Sequence, residues 1–131
     1  MALVDERDDL AARAERDLTR LRTAPFVSTG TVLGEACFLL PRGYQRQRLR
    51  ALLDRLAVAI VEFPSTWWDE IFDWLDRYEE HEPDLADAQM AVLCSRKPDW
   101  RIWTYDREFR TTWRRANGSR IPVVGTASAH R

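Results

Sequence analysis

"PDLADAQMAVLCSRKPDWRIWTYD", Pro83 to Asp106, reads as a capped helix, a break and a short apolar strand that runs into a carboxylate. Asp84 stands where an N-cap belongs, and the apolar residues from Leu85 keep helical spacing to about Lys97. RIWTY, at 101–105, then predicts a buried strand with Asp106 immediately beyond its end. A helix feeding a strand in this way is half of an α/β unit.

The rest of the chain repeats the alternation. Leu10, Ala14, Leu18 and Leu21 predict an amphipathic helix from about Asp9 to Arg22, followed by a short strand in PFVS, 25–28. Ser28 or Thr29 can cap a second helix through TVLGEACFLL, which Pro41 and Gly43 end. RQRLRALLDRL gives a third helix and AVAIVEF, 57–63, a mostly apolar strand. After Pro64 and Ser65 a fourth helix is expected to bury Trp67, Trp68, Ile71, Phe72, Leu75 and Tyr78 on one face. IPVV, 121–124, is the last strand. Helices alternating with short apolar strands predict an α/β sandwich with a mainly parallel sheet flanked by helices. Ligands in such sheets bind outside the carboxyl ends of the strands, where Asp106 falls.

The 131 residues suffice for one core, expected as a single domain over 1–124 with a flexible tail at 125–131. No stretch approaches the roughly 20 apolar residues that span a bilayer, and MALVDERDDL lacks the basic start and apolar run of a leader. The expectation is a soluble cytoplasmic chain with no membrane partner. Cys37 and Cys94 lie within apolar helical patterns, so no disulfide is expected, and two histidines argue against zinc. The net charge of −1 conceals a polarity. Residues 62–87 hold ten acids against Arg77, and residues 96–131 hold nine bases against Asp99, Asp106 and Glu108. Such a division suits a protein that holds cations beside a polyanion, although solvated helix faces also account for charges of this kind.

Three acids sit awkwardly for surface residues. Glu35 is the only charged residue between Arg22 and Arg42 and shares its side of the helix with Thr31, Phe38 and Leu39. It is either an edge residue pointing to water or a compensated carboxylate. Asp84 is explained by capping. Asp87 is explained less well, because it shares a side with Ala91 and Cys94. Two carboxylates three residues apart lie on one helix face, so the pair is either a cap or half of a hard-cation site. Asp106 is the third. Mg²⁺ or Mn²⁺ takes oxygen ligands and keeps water that can be activated beside a phosphodiester. Arg107, Arg110, Arg114 and Arg115 follow Asp106, as surface charge or as contacts to a nucleic-acid backbone.

"STGTVLGEACFLL", "RYEEHEPDLADAQMAVL" and "IWTYDREFRTTWRRANGSRIPVV" resemble the PIN-domain ribonucleases, and in particular the VapC-type toxins of bacterial type II toxin–antitoxin systems. The similarity runs from about Leu3 to Val124. It implies a PIN-like three-layer sandwich and a metal-dependent endoribonuclease that hydrolyses RNA phosphodiester bonds. On this resemblance Glu35, Asp87 and Asp106 are the catalytic acids that bind Mg²⁺ or Mn²⁺. Asp84 and Thr104 support them, and Arg107, Arg110 and Arg114 meet RNA. The expected partners are an RNA substrate, an antitoxin protein and a second copy in a homodimer. One part of the family pattern is missing: a first strand ending in a ligand aspartate. "ALVDERDDLAARAERDL" looks like the segment after it, so the chain reads as N-terminally truncated or started late. Asp5 is the substitute candidate ligand, if Ala2 to Val4 fill the missing strand's place. The alternative function is a catalytically impaired PIN remnant that binds RNA or an antitoxin-like partner without cutting.

Overall fold

Thr29 sets the local geometry of the first part of the chain. In the computed structural model, which describes residues 11–21, 24–104 and 106–124, the chain divides into two compact units, residues 1–62 and 63–131. The first unit runs through α1 (Ala11–Leu21), β1 (Val27–Thr29), α2 (Gly30–Leu39), α3 (Gly43–Arg55) and β2 (Ala59–Val61). Thr29 ends β1 in extended backbone, and its Oγ1 accepts the Val32 amide at 3.1 Å. The strand thereby turns directly into a capped helix. β1 and β2 pair in parallel, Val27 opposite Ala59 and Thr29 opposite Val61. The α2–α3 corner packs Ala36, Leu40 and Leu49 with Leu33 and Leu53. Buried Asp17 is ion-paired with Arg20 on α1.

The second unit contains a 3-10 turn (Ser65–Trp67), α4 (Trp68–Arg77), a second 3-10 turn (Glu79–His81), α5 (Leu85–Arg96), β3 (Ile102–Trp103), α6 (Glu108–Thr111) and β4 (Val123–Val124). β3 and β4 are parallel, with Ile102 opposite Val123. Between them Arg114 bridges Arg120 across a tight turn in which Gly118 takes φ 86°. α5 is the centre of this unit: Ala88, Ala91, Val92 and Cys94 pack with Ile71 and Trp74 of α4 and with Ile102, Phe109, Trp113 and Ile121. Trp113 is sealed in edge-on against Trp74 and Tyr78, with ring centroids 5.2 and 5.3 Å apart. Two polar contacts fasten the turn to the helices. Trp74 Nε1 donates to the Arg114 carbonyl at 2.8 Å. The Arg115 guanidinium donates to the Cys94 and Pro98 carbonyls at 3.2 and 2.7 Å, near the end of α5.

Mixed α/β architecture with short parallel strands is therefore what the sequence alternation predicts, and four details differ. α3 begins at Gly43 rather than after it, because the Arg42 amide finds the Gln45 side chain at 3.1 Å and starts the helix early. Cys37 is exposed, since α2 is apolar over most of its circumference, Thr31 and Glu35 apart, and buries only part of that surface. Trp68 and Phe72 lie outside, 36% and 57% exposed, while Trp74 takes the core position. The segment after Asp106 contains the short helix α6. Ala2 to Val4, Asp5 and the tail at 125–131 lie outside the described residues. No helix among the described residues is long and apolar enough to cross a membrane.

Candidate acidic site

The start of α5 is a reciprocal cap. Asp84 Oδ1 accepts the Asp87 amide at 2.8 Å, and Asp87 Oδ2 accepts the Asp84 amide at 3.1 Å. Two amides of the first turn are satisfied in this way, with aspartate at the position that usually holds the longer Glu or Gln. Asp87 thus has a capping role that its position on the apolar stripe concealed. The arrangement also places two carboxylates side by side, with Asp87 half-buried and Asp84 exposed.

Asp106 stands past the carboxyl end of β3, held by a local frame. Its amide donates to Thr104 Oγ1 at 3.0 Å, and its Oδ1 accepts the Glu108 amide at 3.0 Å, at the entrance to α6. Phe109, buried three residues on, anchors that short helix in the core. The Thr-x-Asp-x-x-Phe pattern therefore has a physical content: a hydroxyl that fixes the backbone, a carboxylate presented at a strand end, and an aromatic anchor.

These elements meet electrostatically at Asp87. Burial, first, pushes its carboxyl up from 3.8 to about 7, and the charges of Asp84 and Asp106 and a side-chain hydrogen bond with Asp84 push the same way; the amide of Asp84 opposes them. The largest part of this shift is burial; only the smaller part, repulsion from Asp84 and Asp106, is of a kind that a nearby cation would relieve. Among the described residues no group of three or more His, Cys, Asp or Glu side chains stands ready to hold a metal ion. Asp84, Asp87 and Asp106 are thus not brought together as a ready metal site, although carboxylate oxygens are the donor type that a hard divalent cation takes.

The remaining candidates fall in different settings. Glu35 is exposed on α2, in the first unit. Arg107 is exposed at the N-cap of α6. Arg110 is half-buried, and its Nη1 is buried with no hydrogen-bond partner among the described residues. Arg114 is half-buried and donates to the Trp113 carbonyl at 3.1 Å. Arg115, grouped with them by sequence, is occupied with the Cys94 and Pro98 carbonyls already described. Sequence reasoning missed Trp74 as the residue that joins α4 to the turn after α6. Its signal was the fourth aromatic in WWDEIFDW, at helical spacing from Ile71.

No curated protein and no solved structure gives a significant match to the chain. A PIN domain family model matches residues 1–113, most of the length, so the chain belongs to the PIN domain family, whose members are generally nucleases and typically use divalent metals.

Proposed function

We propose that this PIN-domain protein is a Mg²⁺- or Mn²⁺-dependent endoribonuclease, acting in the cytoplasm as the VapC-type toxin of a toxin–antitoxin pair, with residues 1–124 as its working domain. The observation that supports the reading is the reciprocal Asp84–Asp87 cap at the start of α5 together with Asp106, framed by Thr104 past β3, whose charge acts on the Asp87 carboxyl. Asp87 and Asp106 are the ligands proposed from this unit, and Glu35 and Asp5 are proposed from the family pattern alone. A bound divalent cation would supply Lewis acidity and a water of lowered pKa beside the scissile phosphate.

The chain's own residues prepare for this. Asp84 holds the first turn of α5 in place and fixes the Asp87 backbone. Thr104 fixes the backbone at Asp106. Arg107, which is exposed and next to Asp106, is proposed to meet an RNA phosphate, and Arg110 and Arg114 are proposed with it from the same segment. An antitoxin and a second copy of the chain are the proposed protein partners.

The test is cleavage of a mixed RNA pool by the purified chain in Mn²⁺ and in EDTA, beside Asp87→Asn. Cleavage that needs the metal and disappears in the variant supports the proposal. RNA binding without cleavage by the folded chain contradicts it and favours a PIN domain that binds without cutting.

A further inference from the structure

α4 has an outer face that the nuclease reading does not use. Its inner side is committed: Ile71 and Trp74 are buried, and Glu70 is held by Arg96 at 2.7 Å. At about 100° per residue, Trp68, Phe72, Asp76, Asp69 and Asp73 follow one another round the opposite arc. Trp68 and Phe72 form an exposed aromatic pair with centroids 6.0 Å apart. Asp69, Asp73 and Asp76 are exposed and make no ion pair or side-chain hydrogen bond among the described residues.

A cleft of about 350 Å³ adjoins the acidic edge, lined by Thr66, Asp69, Asp73, Trp74, Arg77 and Arg96 among others. Its two arginines are already engaged. Arg96 pairs with Glu70 and lies over the Trp67 ring, 4.4 Å from its centroid. Arg77 donates to the Arg115 and Ala116 carbonyls. Carbonyls orient Arg77 without cancelling its charge, so Asp69, Glu70 and Asp73 against Arg77 and Arg96 leave the cleft a net charge of −1, beside exposed aromatic surface and exposed Asp76.

We propose that the outer face of α4 docks a basic amphipathic segment of a partner protein, with apolar side chains on Trp68 and Phe72 and a Lys or Arg entering the cleft against Asp69 and Asp73. Aromatic anchors of this kind dominate the energetics of helix-on-surface recognition, and the acids select the sign of the partner. The face is separate from Asp87 and Asp106 in sequence and chemistry, so the proposal stands independently of RNA cleavage.

The test uses the full chain in EDTA without RNA and follows, by fluorescence anisotropy, a labelled synthetic Leu/Lys amphipathic helix and its Leu/Glu counterpart. The Leu/Lys peptide binds and the Leu/Glu peptide does not. Phe72→Ser and the double variant D69N/D73N each weaken binding about tenfold or more, and D69N/D73N also flattens the salt dependence. The double variant E79Q/E80Q, which removes the same charge elsewhere, binds as the parent does. Both double variants change exposed residues, and circular dichroism verifies their folding. Absence of binding, or equal weakening by the two double variants, overturns the proposal. So does a concentration-dependent dimer in sedimentation that Phe72→Ser dissociates, because a second copy would then cover the face.

Discussion

Replacing Asp87 with asparagine should stabilise the metal-free protein at neutral pH. In the folded chain the carboxyl keeps its proton up to about pH 7, whereas in the unfolded chain it releases it near its ordinary value of 3.8. Between those values the folded state binds more protons than the unfolded state, so this carboxyl's contribution to stability is fully present below about pH 4 and is lost as pH rises towards 7. A displacement of that size corresponds to roughly 4 kcal/mol before screening, and solvent at a half-buried site reduces it to roughly 1–2 kcal/mol. Asparagine keeps an oxygen for the Asp84 amide and carries no charge at any pH. Thermal melts in EDTA from pH 4 to pH 8 should show parent and D87N alike at the acid end, with D87N melting roughly 4–8 °C higher at pH 8. Mn²⁺ reverses the order. It should raise the melting temperature of the parent at pH 8, less at pH 5.5 where the proton competes, and leave D87N unmoved. Parallel pH profiles in EDTA would refute the electrostatic account of the site.

The two thiols should differ sharply in alkylation. Exposed Cys37 reacts in the native protein, while Cys94, buried in α5 with its thiol pushed up to about 11, reacts only on unfolding; two reactive thiols in the native state would contradict the packing. Ala57 ends α3 with φ 51°, its amide on the Asp54 carbonyl and that of Val58 on Leu53, a Schellman cap without glycine. Ala57→Gly should therefore raise stability by about 0.5–1 kcal/mol in urea unfolding. Thr104→Val removes the acceptor of the Asp106 amide and should cost about 1 kcal/mol by the same assay, with a larger proportional loss of RNA cleavage. Trp113→Ala empties the aromatic cluster and should cost about 3–5 kcal/mol, read from denaturant midpoints.

Legibility followed the range of the interaction. Asp84 as a cap, Thr29 opening α2 and Asp106 past a strand end depend on neighbours within a few residues, and the sequence states them. The double role of Asp87 was harder to read, because its stripe with Ala91 and Cys94 points inward while its carboxylate bends back to an amide. α4 misled for a different reason. WWDEIFDWLDRY carries aromatics nearly all round the helix, so hydrophobicity alone cannot choose between Trp68 with Phe72 and Trp74. The choice is made by Trp113 and the Arg114 carbonyl, about forty residues away. Cys37 is a similar case, on a helix apolar over most of its circumference. α6 is too short to show a period, and Arg115 is distinguishable from its neighbours only through the carbonyls it meets. The raised carboxyl at Asp87 likewise depends on burial and on Asp106, neither of which spacing reveals.

The most direct test of the acidic site follows metal binding and RNA cleavage in the same samples. Mn²⁺ is titrated into the chain with a fluorogenic RNA, while water-proton relaxation reports the bound ion. The predicted result is that binding and cleavage rise over the same Mn²⁺ range, and that Asp87→Asn and Asp106→Asn lose both. Cleavage that persists in EDTA or in Asp87→Asn, or Mn²⁺ binding unaffected by either substitution, would contradict the account.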